Sequence, residues 1–442
     1  MKMSKEKTAF SRIMSNTGII VFGRIVNAVC SFVYIPWTVK AIGLNDFGQL
    51  LLVISYIMLV SDITHLHSWQ PLVHFGTASL REKKQNEFHQ ILAFCMRSDL
   101  LSGVLGMLVG VLGIAVFGHV MRWPEATCHI AELCSVIILF MNRGWPVGVM
   151  RVLNKFKVST TIELVGSITR TVGTFIGYEL GFGFFFFIFV WCLTQLVLFI
   201  LYNGFAFWLV RKNIQIPFRW KEFFLPELKI SGIWKLTLGT SVSEILEAFY
   251  KQISILLIGA WIGPEDAAVF RVSTQITNAL ATPANLLIPA MYPEFIRFKH
   301  EEDWKGFRHT IMRLLKVITS LGVLIIFVSM VFGGDILNYM LKYRSAYGGL
   351  IISILSFSAI INIATVPLEP ILTVMGKVYS VLRYKIATIV MYIPSLFVFT
   401  YFWGVWGAAW SAVLGSFLMF ALSSTRVYRI FSSIFRQGRV RS

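Results

Sequence analysis

The sequence predicts an all-α polytopic membrane protein, with about twelve transmembrane helices in two parallel-repeat six-helix bundles around a central cavity. Three observations predict it. The 442 residues are 56% hydrophobic and only 14% charged, with a mean hydropathy of +0.71, whereas soluble domains are nearer a quarter charged. Twelve runs are long and apolar enough to cross the hydrocarbon core, which takes about 20 residues. A faint internal repeat recurs at an offset of 220 residues.

The twelve runs are 15–38, 47–70, 90–117, 130–150, 157–178, 183–209, 233–261, 267–290, 311–333, 347–371, 379–402 and 405–427. They are called spans one to twelve. Six lie on each side of a basic, proline-bearing stretch. The expected organisation is an N-terminal bundle over 1–210, a cytoplasmic linker over 211–232 and a C-terminal bundle over 233–442. The first span follows a basic tail (Lys2, Lys5, Lys7, Arg12) without a small-residue cleavage site, so it reads as a retained helix.

The net charge is +18, from 40 Lys and Arg against 22 Asp and Glu. The positions of the basic residues explain it. With the N-terminus in the cytoplasm, 30 lie in inner tails, inner loops and the inner ends of spans, and four in outer loops: Lys40, Arg122, Lys342 and Arg344. Cytoplasmic loops are enriched in this way, so both termini are expected inside and no nucleic acid is needed as a partner. Trp37, Trp123, Trp261 and Trp403 fall at outer ends, and Trp69, Trp208 and Trp234 at inner ends, as interfacial anchors. The outer loops are too short to fold as a catalytic domain.

The repeat aligns Ala41-Ile42-Gly43-Leu44-Asn45-Asp46 with Trp261-Ile262-Gly263-Pro264-Glu265-Asp266. The same offset aligns two polar stripes. Span one carries Arg24, Asn27, Ser31, Tyr34 and Thr38, and span seven carries Thr237, Thr240, Glu244, Glu247, Lys251 and Ser254. Steps of three and four keep each set on one helix face. Parallel repeats of this kind place transport sites between halves.

A charge inside the membrane is costly, about 2.5–3.5 kcal/mol on insertion scales, and marks function by default. The basic residues inside spans and away from their inner ends are Arg24, Arg97, Arg143, Arg170, Lys251 and Arg271. The acidic ones well inside are Asp62, Asp99, Glu163, Glu244 and Glu247. Glu163, Ser167, Arg170 and Thr174 lie near one another along span five. Glu247 and Lys251 are four apart and read equally well as a mutual ion pair. Arg143 sits in Asn142-Arg143-Gly144-Trp145-Pro146, where the helix breaks, and either faces a wet cavity like the other intramembrane charges or only snorkels to the inner surface. Span eight adds Arg271, Thr274, Gln275, Asn278, Thr282 and Asn285; span two adds Ser55, Asp62 and His65. Pro283, Pro289, Pro367, Pro370 and Pro394 also sit in spans, and Glu369 near an inner end. The phenylalanines of span six (Phe184 to Phe187, Phe189) read as lipid-facing.

Other chemistry is absent from the sequence. Five scattered cysteines form no CxxC pair and read as small apolar residues. No P-loop, HExxH or clustered Cys/His pattern occurs. His65 and His67 are two apart and cannot hold one metal from a single helix face. Gly106…Gly110 and Gly173…Gly177 are GxxxG packing signals. No cofactor or metal is expected, and the chain is not read as an enzyme. A proton or sodium gradient is the candidate source of energy.

The segment Asn16-Thr17-Gly18 through Phe22-Gly23-Arg24, the Ile42-Gly43…Phe47-Gly48 turn and Ser55-Tyr56 resemble Wzx-type O-antigen flippases. These belong to the multidrug/oligosaccharidyl-lipid/polysaccharide exporter (MOP) superfamily. The resemblance implies movement of an undecaprenyl-diphosphate-linked oligosaccharide, an O-antigen or other surface-polysaccharide unit. The direction is from the inner to the outer leaflet of the bacterial cytoplasmic membrane. It implies partners among membrane lipids, a polysaccharide polymerase and a chain-length regulator. Related lipid II flippases hold the diphosphate with arginines of the first and eighth helices, which here are Arg24 and Arg271. Arg24, Asn27, Arg97, Arg170, Lys251 and Arg271 are the candidate substrate-binding residues. Asp62, Glu163, Glu244 and Glu247 are the ion-coupling candidates. The acids of span seven depart from a purely basic cavity. The rival classes are an ion-coupled multidrug or small-solute exporter of the same fold and a membrane polysaccharide polymerase.

Overall fold

The computed structural model describes residues 2–121, 123–213, 230–285, 304–345 and 347–440, with positions 295, 297, 298 and 301. Helices account for nearly all of them, and no strand occurs among the described residues. Each expected span has its counterpart. Spans one and two form Lys2–Thr64, kinked at Gly43. Span three is Gln85–Val120, span five Phe156–Glu179 and span six Phe184–Asn213. Span four is built from Glu125–Ser135, a 3-10 stretch Val136–Phe140 and Gly144–Val152. Spans seven, eight and nine are Ile233–Trp261, Pro264–Asn285 and Trp304–Leu341. Span ten joins Gly348–Thr365 to Leu368–Val374, and spans eleven and twelve form Val378–Val440, kinked at Gly404.

Seven of these stretches are long and apolar enough to cross a membrane unaided, and two of them, 21–64 and 379–433, each hold two spans. Spans five and seven fall short because charged residues interrupt their apolar runs, and the described part of span eight is rich in Ser, Thr, Gln and Asn. The fold is therefore the expected polytopic all-α architecture. Most of the linker 211–232 lies outside the described residues, as do Pro289 and the side chains of Thr282, Pro283 and Asn285.

The repeat has a backbone counterpart. Gly43 has φ +83° and Gly263, 220 residues on, has φ +148°. Side chains rarely adopt such angles, so glycine ends one helix and admits the next at both turns.

The chain forms two compact units, one from Ser15 to Ala260 and the other from Trp261 onward. In the first, Leu72, Phe88, Ile91, Trp145, Tyr202 and Ile233 share one buried cluster. Ile233 brings the start of span seven into that cluster. The Ser241 hydroxyl accepts the His67 backbone N–H at 3.0 Å, and Leu52 packs so closely on Gly259 that a Cβ there would clash. Contacts thus group span seven with the helices before it. Both GxxxG signals are helix contacts: Gly106 and Gly110 lie against Thr64, Ile138 and Ser135, and Gly173 and Gly177 against Val190 and Phe186. In lipid, such close approach takes the place of the hydrophobic effect between helices. The phenylalanines of span six divide, with Phe185 and Phe189 exposed and Phe187 buried.

In the second unit, span ten packs against spans eight, nine and twelve. Ser356 bonds Ser329 at 2.7 Å and Ser358 bonds Ser416 at 2.8 Å, joining it to spans nine and twelve. Glu369 pairs with Lys385 at 3.6 Å.

Candidate transport site

The first unit is organised around a break in span four. The helix ends near Phe140 and restarts at Gly144, leaving unsatisfied N–H groups at the new N-terminus. Asp99 of span three satisfies them. It is buried, and its Oδ2 accepts the Trp145 backbone N–H at 2.8 Å. Its Oδ1 accepts the Ser68 hydroxyl at 2.5 Å. Asn142 donates to the Asp99 carbonyl at 3.1 Å and to Ser102 Oγ at 2.9 Å. Span two also breaks here, between Thr64 and Trp69. Asp99 therefore serves as a cap that ties two broken helices together.

The break directs Arg143 into a pocket, the first of its two sequence readings, rather than toward the inner surface. Its Nη2 donates to Gln195 Oε1 of span six, and its guanidinium lies 5.8 Å from the Tyr202 ring centroid. Tyr202 donates its hydroxyl to Glu163 Oε1 at 2.8 Å, with Ser159 Oγ 3.0 Å away. Arg143, Glu163 and Tyr202 line a pocket of about 290 Å³ with Asp62, His65 and Asn142. Two ion-coupling candidates, Asp62 and Glu163, thus share one cavity. Glu244, Glu247 and Lys251 of span seven act electrostatically on Asp62. Lys251 bonds Glu247 at 2.7 Å, an i,i+4 ion pair with both side chains exposed. Among the described residues no group of His, Cys, Asp and Glu could hold a metal.

A second polar feature joins spans one and five. Gly23 abuts Thr160, and Asn27 Oδ1 accepts the Ser167 hydroxyl at 3.0 Å. The Arg170 guanidinium lies 4.5 Å over the Tyr34 ring. Trp37 and Phe175 have centroids 5.1 Å apart, and Lys40 donates to the Tyr178 hydroxyl at 2.5 Å. Partner numbers rise together, so the two helices run parallel as a ladder. Arg24 is exposed on the same helix, between Gly23 and Asn27. Three candidate substrate residues, Arg24, Asn27 and Arg170, therefore belong to one helix pair. Arg97 is half-buried in span three, and Arg271 is half-buried in the second unit.

Sequence reasoning missed Arg143, Gln195 and Tyr202 as site residues. The available signal was the helix-breaking Arg143-Gly144-Trp145-Pro146, because broken helices flank transport sites.

The polysaccharide biosynthesis protein family matches residues 13–299, more than half of the chain, and the MatE family matches residues 240–398. The inner membrane protein YghQ of Escherichia coli (strain K12) is 26% identical over 352 residues, covering 77% of this chain and 96% of that one. A multidrug resistance MATE family transporter of the MOP superfamily, in its inward-facing conformation, superposes with a TM-score of 0.75. That match has 13% identity and covers 93% of this chain and 96% of the transporter. A MOP superfamily transporter from Pyrococcus furiosus, with a binding pocket of reversed polarity, gives 0.59 at 16% identity over 94% of each chain. The fold, the intramembrane charges and these likenesses define a multi-span membrane transporter of the MOP superfamily. The chain belongs to the polysaccharide biosynthesis protein family.

Proposed function

We propose that the protein is a flippase for an undecaprenyl-diphosphate-linked oligosaccharide, working by alternating access in the bacterial cytoplasmic membrane. The observation that carries the reading is the polar face of the span one–span five ladder, with Arg24 exposed beside Asn27 and Arg170 alongside. A diphosphate-sugar head cannot cross hydrocarbon unaided, because burying its charges is prohibitive. A face of guanidinium, amide and hydroxyl groups substitutes for water. Arginine suits phosphate, since its planar fork donates two bonds at once. The family match supports the same cargo class. Arg271 of span eight is the second arginine of this reading, and Arg97 and Lys251 extend the basic lining. A proton or sodium gradient drives the cycle through Asp62, Glu163, Glu244 and Glu247. Both termini lie in the cytoplasm, and a polymerase and chain-length regulator receive the flipped unit.

The test is Arg24→Ala and Arg271→Ala in cells lacking the native copy. Each variant should reach the membrane at normal level and lose surface glycan, with complete single lipid-linked units accumulating on the inner leaflet. Full export by both single variants and by the double variant sinks the assignment. A second reading, a multidrug exporter, draws on the fold shared with MATE transporters. It predicts unchanged glycan and reduced drug tolerance in the deleted cells.

A further inference from the structure

We propose that Cys134 of span four and Cys192 of span six are a redox pair, which a membrane quinone closes into a disulfide that staples the two helices together. The inference goes beyond the cargo reading and does not depend on it.

The two cysteines are 58 residues apart in the sequence and meet in one groove of the fold. Both are half-buried and free, and their thiols are hydrogen-bonded to each other. Neighbouring contacts hold spans four and six in register. Phe140 meets Phe199 edge to face, with centroids 5.2 Å apart, and Arg143 donates to Gln195, one turn on from Cys192. Sulfurs already in contact need a change of rotamer to bond, not a movement of helices. Two other cysteines of the first unit are occupied differently. The buried Cys95 donates its S–H to the Ser68 carbonyl at 3.3 Å, and Cys128 directs its own to the Trp123 carbonyl at 4.0 Å. Cys134 ends the helix Glu125–Ser135 but for one residue, just before the 3-10 stretch. A link there fixes to span six the segment of span four that precedes its break.

The surroundings select the oxidant. The pair lines an apolar groove of about 360 Å³ together with Leu133, Phe140, Phe185 and Phe189. Leu133, Phe185 and Phe189 are exposed, and on membrane-spanning helices that exposure is to lipid. A charged oxidant is kept out of such a place by the cost of its desolvation. A quinone is apolar, planar and soluble in the bilayer, and the phenylalanine rings offer it faces and edges to pack on. The step balances between the two partners. Both S–H bonds break and one S–S bond forms. The dithiol gives up two electrons and two protons, and the two quinone oxygens take them up as the hydroxyls of the quinol.

The experiment uses the purified full-length protein in detergent, reduced and then freed of reductant. It is incubated without oxygen, with or without decylubiquinone, then unfolded in dodecyl sulfate and its free thiols tagged with a polyethylene glycol maleimide. The untreated wild type should take five tags and the quinone-treated wild type three, with all five restored by dithiothreitol. Cys134→Ser and Cys192→Ser should each take four tags, with or without quinone. Oxidation should raise the wild-type melting temperature by several degrees, because the closed loop restricts the unfolded chain, and should leave both serine variants unchanged. Five tags after quinone treatment overturn the inference, and so does a quinone-dependent loss of tags in either serine variant. A disulfide that leaves the melting temperature unchanged overturns the staple. Peptide mapping of the oxidised wild type for a Cys134–Cys192 cross-link decides the pairing even if a serine variant does not fold. None of these readouts involves glycan, so failure here and failure of the flippase reading are told apart.

Discussion

The carboxylate of Asp99 on span three accepts the backbone N–H of Trp145 on span four at 2.8 Å. An intramembrane acid is thus spent on capping a helix restart rather than on solute. Asp99→Leu would leave the Trp145 N–H and the Ser68 hydroxyl without their acceptor, a loss of about 1–3 kcal/mol. Asp99→Asn keeps an acceptor and should retain most of that stability. Thermal unfolding in detergent checks it, and a leucine variant as stable as the wild type would refute the cap.

Gly23 and Thr160 set the spacing of spans one and five. A Cβ at Gly23 would lie 2.5 Å from Thr160 Cγ2. Gly23→Ala should therefore destabilise through overpacking, by about 1–3 kcal/mol. Thr160→Ser removes the offending methyl, so the double variant should recover stability. An absence of coupling in this double-mutant cycle would show that the two helices do not meet there.

The proposed cytoplasmic placement of both termini is tested by labelling single cysteines in a cysteine-free background. Lys84 and Arg344 are exposed, at a tip before span three and between spans nine and ten. An impermeant maleimide should label Arg344→Cys in intact cells and Lys84→Cys only after lysis. The reverse pattern would invert the topology.

The helix plan was legible because each span must satisfy its backbone internally and cover its length with apolar side chains. That demand writes itself into hydropathy, and it survives a kink such as Gly404. The stripes of spans one, five and seven were legible for the same reason, since Arg24, Glu163 and Glu247 stand out against an apolar background. The site itself was less legible. Arg143 follows a break, and helical periodicity carries no directional information across one. Asp99 read only as one more intramembrane acid, because its partner is a backbone N–H 46 residues away. The pairing of Glu369 with Lys385 likewise depends on tertiary packing that periodicity does not encode.

Two rods joined at one point bend independently; two rods joined along their length bend as one beam. From Gly23 to Lys40 the contacts with Thr160, Ser167, Arg170, Phe175 and Tyr178 recur over about 26 Å of helix. Curving the first helix alone would shear every one of those contacts. On the proposed flippase reading, the motion that carries cargo past Arg24 moves this pair as a stiff member and finds its compliance in the broken fourth span.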